Sequence, residues 1–122
     1  MDIYREKLLD HYNNPRNYGE LAKATASSKL ENVSCGDAIS MQLQLKDKHL
    51  QDIKFTGEGC AIAIAAASIL SEYAKGKDVN FLQKLSLAEL LELMNVQLTP
   101  SRLKCASLSL DTLKKALLAS KS

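Results

Sequence analysis

Four residues of this 122-residue chain have types that could do chemistry together: Cys35, Cys60, Cys105 and the carboxylate Asp37. A lone cysteine says little, because free Cys is among the most buried residue types and packs as a small hydrophobe. Here each cysteine stands where the local pattern changes. Cys35-Gly36-Asp37 precedes a strand-like stretch, Cys60 follows Gly57-Glu58-Gly59 into an apolar run, and Cys105 falls near the start of a final helical pattern. Gly36 permits a tight turn, so the Cys35 and Asp37 side chains can face one centre. Three thiolates and a carboxylate make a four-ligand set suited to zinc or to iron. With no CxxC pair present, the spacing alone does not choose between them.

The elements that must position these groups follow from hydrophobic period and caps. Residues 2–13 read as an amphipathic helix with Asp2 as N-cap and Ile3, Lys7, Leu8, His11 and Tyr12 on or near one face. Asn13-Asn14-Pro15 ends it, since the residue before proline is steered away from the α region. A first edge strand is expected near Ser28–Val33. Ile39 to Lys46 alternates apolar and polar residues without a fault, the mark of a strand with one wet face. Asp47-Lys48-His49 form a turn, and Gln51 to Thr56 return as the hairpin partner. That hairpin separates Cys35 from Cys60 and brings both back to one end of the sheet. A glycine turn at 57–59 then places Cys60 at the start of a buried helix, whose positive N-terminal end favours thiolate. Lys75-Gly76-Lys77 closes that helix. Asp78 caps a short helix, Ser86-Leu87-Ala88-Glu89 has capping-box spacing, and Thr99-Pro100 opens a last helix with Leu103, Ala106, Leu110, Leu113 and Leu117 on one stripe. The sum is an α+β fold, a small three-stranded antiparallel sheet with helices packed on one face.

Composition narrows the function classes. One domain covering 1–122 is expected, with an ordinary soluble balance of 46% hydrophobic and 25% charged residues. A net charge of +2, 5% aromatics and no Trp give no support to nucleic-acid or membrane-surface binding. The start of the chain lacks a signal-peptide pattern, and the apolar run after Cys60 is short for a bilayer span of about 20 residues. An odd cysteine count suits a reducing compartment, so the cytoplasm is expected. His49 reads as an exposed turn residue and His11 as a packed or hydrogen-bonded one. No His lies near any Cys in this layout, which argues against a cysteine hydrolase.

His11-Tyr12-Asn13-Asn14-Pro15-Arg16-Asn17, Cys35-Gly36-Asp37, Gly57-Glu58-Gly59-Cys60-Ala61-Ile62, Lys75-Gly76-Lys77 and Leu103-Lys104-Cys105 resemble, in order and over nearly the whole chain, the scaffold family for iron–sulfur cluster assembly. Its members are IscU, SufU and the N-terminal domain of NifU. The resemblance implies that Cys35, Asp37, Cys60 and Cys105 form the assembly site. They would hold a transient iron–sulfur cluster, of the two-iron two-sulfur kind, or zinc in the same place. It also implies that sulfur arrives as a persulfide from a cysteine desulfurase, with Cys105 and Cys35 as the candidate acceptors. Iron and electron donors would assist, and the cluster would pass to acceptor proteins. Such a chain is a scaffold and carrier rather than an enzyme.

Two departures from the family pattern bear on the branch. Lys104 stands where many members have His, as in zinc-binding SufU, whose role is that of a sulfur acceptor and sulfurtransferase partner. Protonated lysine is a poor ligand, so Lys104 would steer a persulfide anion or offset thiolate charge, or else be a plain solvated lysine. The interval from Cys60 to Cys105 is short for the SufU insertion and favours the scaffold. Leu98-Thr99-Pro100-Ser101-Arg102 keeps only parts of the family's chaperone-docking segment, which weakens the expectation of recognition by an Hsp70-type chaperone pair. Val33 stands where proline is common. A structural zinc domain without sulfur chemistry is the remaining alternative.

Overall fold

The computed structural model describes residues 3–119, in the order α1 (Ile3–Asn13), β1 (Ala26–Asn32), β2 (Asp37–Lys46), β3 (His49–Glu58), α2 (Ala61–Ala74), α3 (Val79–Gln83), α4 (Leu87–Met94) and α5 (Pro100–Ala119). The Asp2 cap expected for α1 lies outside the described residues. The three strands form one antiparallel sheet in the order β1-β2-β3. Period-2 alternation decides its sidedness: Asp37, Ile39, Met41 and Leu43 of β2 are all buried, while the residues between them are half-exposed. Ile53 and Phe55 stand opposite Leu43 and Met41 and complete the inward row. Each such side chain stabilises the fold by roughly 1.5–3 kcal/mol when fully buried. A one-residue slip would turn the whole row to water, and this fixes the register. The helices α2 and α5 cover that face, with Ala66, Ala67, Leu70, Leu110, Leu113 and Leu117 in the same core.

Turn chemistry sets where the hairpin reverses. Lys46 pairs with His49, and the two residues between them, Asp47 and Lys48, both have positive φ of 54° and 65°. Two positive-φ residues make a tight hairpin loop whose twist matches the strands. His49 therefore opens β3 rather than sitting in the turn, although it is exposed as expected. Strand β1 begins two residues earlier than expected and stops at Asn32, leaving Val33 89% exposed in the turn that follows. Gly57 does not break β3: it pairs with Ile39, and any Cβ there would meet the Ala38 carbonyl at 2.6 Å. The outer edge of β3 is closed locally by the segment after α1. Gly19 N–H donates to the Phe55 carbonyl at 2.8 Å, and Phe55 N–H donates to the Asn17 carbonyl at 2.9 Å.

The caps read from sequence are present with one difference. Asp78 accepts from Phe81 N–H, and Ser86 and Glu89 form a reciprocal capping box. Thr99 lends its carbonyl to Arg102 and Leu103, but its hydroxyl pairs with Ser101 Oγ instead of a helix amide. In α1, His11 is buried while Tyr12 is 40% exposed, so the inward face is narrower than the sequence pattern suggested. His11 Nδ1 lies 2.7 Å from Ser68 Oγ, which also accepts from Arg16 N–H, and this pins α1 and the following loop to α2. Burial first, then the Arg16 cation, holds the His11 imidazole below its ordinary value. No helix among the described residues is long and apolar enough to cross a membrane.

Candidate metal and sulfur site

Asp37 reaches the site because of its parity. It continues the inward row of Ile39, Met41 and Leu43 to the end of β2, so its carboxylate is buried at the mouth of the core, with 2% of its surface exposed. A buried carboxylate requires hydrogen-bond partners. One oxygen, Oδ1, accepts the backbone N–H of Cys60 at 2.9 Å, and the other, Oδ2, lies 3.8 Å from Cys60 Sγ. Space for the carboxylate comes from Gly59: with φ at +141°, its missing Cβ would lie 2.2 Å from Asp37 Oδ1. Cys60 is the N-cap of α2 and makes no side-chain cap bond, so its sulfur is left for the site while its N–H is taken by Asp37.

Cys35 sits in the turn between β1 and β2. Its N–H donates to the Asn32 carbonyl at 3.2 Å, and Gly36, with φ of +70°, lets the chain fold back into β2. The Asn32 amide donates to Cys35 Sγ at 3.3 Å, fixing the sulfur from the strand side. Cys105 lies one turn into α5 and is buried, while Lys104 before it is exposed and outside the group of ligand atoms. The placement of α5 comes from packing on the sheet, reinforced by Ser28 Oγ–H donating to the Thr112 carbonyl at 2.6 Å.

The outcome is a compact group. One ligand atom each from Cys35, Asp37 and Cys105 all lie within 4.8 Å of one another, and the Cys35 and Cys105 sulfurs are 3.6 Å apart. Cys60 Sγ, the fourth ligand expected from the sequence, lies outside this mutual group and meets it at Asp37 Oδ2, 3.8 Å away. Burial first, then the neighbouring Cys35 and Cys60 sulfurs and Asp37, push the Cys105 thiol well above the usual thiol range. A cation at this point would offset that crowding of potential negative charge, which is what a thiolate-rich metal site provides. All three cysteines are free. His11 and His49 contribute nothing to the group: one bonds Ser68, and the other lies 2.9 Å from the Asp47 carbonyl. Sequence reasoning missed two supporting roles, the Asn32 amide on Cys35 and the Asp37 bond to Cys60 N–H. The signal for the second was available, since Asp37 shares the odd-numbered parity of the core residues.

Known proteins share the sequence and the fold. The family model described as NifU-like N-terminal domain matches residues 3–121. The iron-sulfur cluster assembly scaffold protein IscU 1 of Archaeoglobus fulgidus is 35% identical over 115 residues, covering 94% of this chain and 74% of that protein. The zinc-dependent sulfurtransferase SufU of Bacillus subtilis is also 35% identical, over 130 residues, covering 93% of this chain and 88% of that protein. That alignment spans 130 positions against the 122 residues of this chain, so the Bacillus protein has residues without a counterpart here. Among solved structures, a nitrogen-fixing NifU-like protein (N-terminal) from Brucella abortus superposes with a TM-score of 0.81, covering 98% of this chain and 94% of that one, at 16% identity. With the family model spanning nearly every residue and relatives at 35% identity, the chain belongs to the NifU-like N-terminal domain family, together with the IscU and SufU proteins.

Proposed function

We propose that this chain is a scaffold on which an iron–sulfur cluster is assembled from iron and persulfide sulfur and then passed to acceptor proteins. The observation that carries the reading is the convergence of Cys35, Asp37 and Cys105 ligand atoms within 4.8 Å, with Cys60 against Asp37. Soft thiolates suit iron and sulfide, and the harder Asp37 oxygen is the weaker corner from which a product can leave. Residues 1–122 act as one such domain, a carrier rather than a turnover enzyme, and Cys35 and Cys105 are the sulfur acceptors. The partners are a cysteine desulfurase, donors of iron and electrons, and the proteins that receive the cluster. Three free thiols suit the reducing cytoplasm.

A second reading, a zinc-bound sulfur acceptor of the SufU kind, is favoured by Lys104 beside Cys105 and by the Bacillus relative. The short interval from Cys60 to Cys105 favours the scaffold. Anaerobic incubation with iron, cysteine and a desulfurase separates them. A visible cluster chromophore that transfers to an apo-ferredoxin is the expected result. Retention of tightly bound zinc, with persulfide transfer and no chromophore, would replace the first reading by the second.

A further inference from the structure

We propose that Cys35 and Cys105 act as a dithiol that reduces an incoming persulfide to sulfide inside the site. This rests on the sulfur-accepting role proposed above and adds the source of the electrons. The two sulfurs are 3.6 Å apart, Cys35 half-buried at the turn and Cys105 buried behind it. Sulfur delivered from outside meets Cys35 first and forms Cys35–S–SH. The outer sulfur needs an electron pair to become sulfide, and the Cys105 thiol lies beside the inner sulfur. As its proton passes to the departing outer sulfur, Cys105 Sγ attacks Cys35 Sγ, forming the bond between them and breaking the bond to the outer sulfur. Cys35–S–SH and Cys105–SH become the Cys35–Cys105 disulfide and hydrogen sulfide, the Cys105 proton leaving with the sulfide. The two cysteine sulfurs together give up the pair that the outer sulfur gains.

The geometry permits the closure. A disulfide requires the sulfurs to approach to about 2.05 Å, so the pair must close by about 1.5 Å. Closure displaces least at Cys35: it lies in the turn outside the strands and is half-buried, whereas Cys105 is buried within α5. The Asn32 amide holds Cys35 Sγ from the strand side, at 3.3 Å. Cys60, by contrast, faces the carboxylate oxygen of Asp37. The disulfide ties up two of the four candidate ligands, so an outside reductant acts on that bond before the site can be used again.

The test uses the full chain, reduced, metal-free and anaerobic, treated with inorganic polysulfide and desalted at once. A species heavier by one sulfur is expected to decay without added thiol. It should release one equivalent of sulfide and leave a chain two hydrogens lighter than the reduced form, with peptides containing Cys35 and Cys105 joined. Cys105→Ser should keep the extra sulfur on Cys35 and lose the sulfide release. Cys35→Ser, a change in the turn that leaves the helix core alone, should also release none. Wild-type protein that holds its extra sulfur until a thiol is added would overturn the dithiol step alone, as would a disulfide to Cys60. A chain that takes up no sulfur at all would overturn this step and the sulfur-accepting reading together.

Discussion

Gly59→Ala tests how the end of the sheet makes room for Asp37. With φ at +141°, the backbone occupies a region that L side chains rarely adopt, and strain of that kind costs on the order of 1–3 kcal/mol. The new Cβ would also fall 2.2 Å from Asp37 Oδ1, 2.8 Å from Cγ and 2.9 Å from the backbone α-carbon. The carboxylate must swing away, which breaks its 2.9 Å bond to Cys60 N–H. A hydrogen bond to a carboxylate contributes about 1.5–3 kcal/mol. Together the two effects amount to about 2.5–6 kcal/mol, a large share of the roughly 5–15 kcal/mol that holds a domain folded. Asp37→Ala removes the Oδ1 and Cγ obstacles and the hydrogen bond, while the crowding against the residue 37 backbone and the strain remain. In that background Gly59→Ala should cost about 1.5–3 kcal/mol less than in wild type. Urea unfolding of the four metal-free proteins, followed by circular dichroism, measures this coupling. Additivity within about 0.5 kcal/mol, or a Gly59→Ala cost below about 1 kcal/mol, would refute the packing argument.

Three further outcomes are expected. Asp37→Ala or Asp37→Cys should slow transfer of an assembled cluster to an apo-ferredoxin, and an unchanged transfer rate would remove the exchangeable-corner role. His11 has its folded pKa depressed by burial and by Arg16, against the opposing pull of Glu72 and Asp10. The unfolded chain therefore binds the proton more readily, so stability is full above about pH 6.5 and is lost as the pH falls through the lower folded value. The urea midpoint of wild type should drop between pH 7.5 and 5 more steeply than that of His11→Gln, and parallel slopes would exclude this cause. Zinc added at a hundred times its dissociation constant should stabilise the folded chain by about 2.7 kcal/mol, with much less effect on Cys35→Ser; thermal melts that ignore zinc would count against a metal site.

Most of the fold was legible because its strongest signals are local. The alternation from Ile39 to Lys46, the Ser86–Glu89 capping box and the Asp78 cap each depend on residues close in sequence, and each is present. What failed depends on partners far along the chain. Gly57 looked like a strand breaker, yet its missing side chain answers a close approach by Ala38 and Ile39 across the sheet. Tyr12 matched the helical period of α1, but α2 covers a narrower stripe centred on His11 and Leu8. The shielding of β3 by residues 17–19 had no local signature, because its hydrogen bonds come from Phe55 and Gly57, far along the chain. The approach of Cys35 to Cys105 was suggested by boundary positions, whereas Cys60 lies outside their group and meets it at Asp37 Oδ2. Their distances, and the Asn32 and Asp37 bonds that orient them, come from tertiary packing.

The bond from Cys60 N–H to Asp37 Oδ1 also limits how that side chain can bind an ion. With one lone pair of Oδ1 committed to the backbone, Oδ2 is the freer oxygen and the one an ion would meet most directly. Symmetric chelation by both oxygens would compete with the bond that anchors the start of α2. In the proposed site, that competition at the Asp37 corner, set by a peptide N–H rather than by the ion, would make the oxygen the easiest of the four ligands to replace by an incoming thiolate.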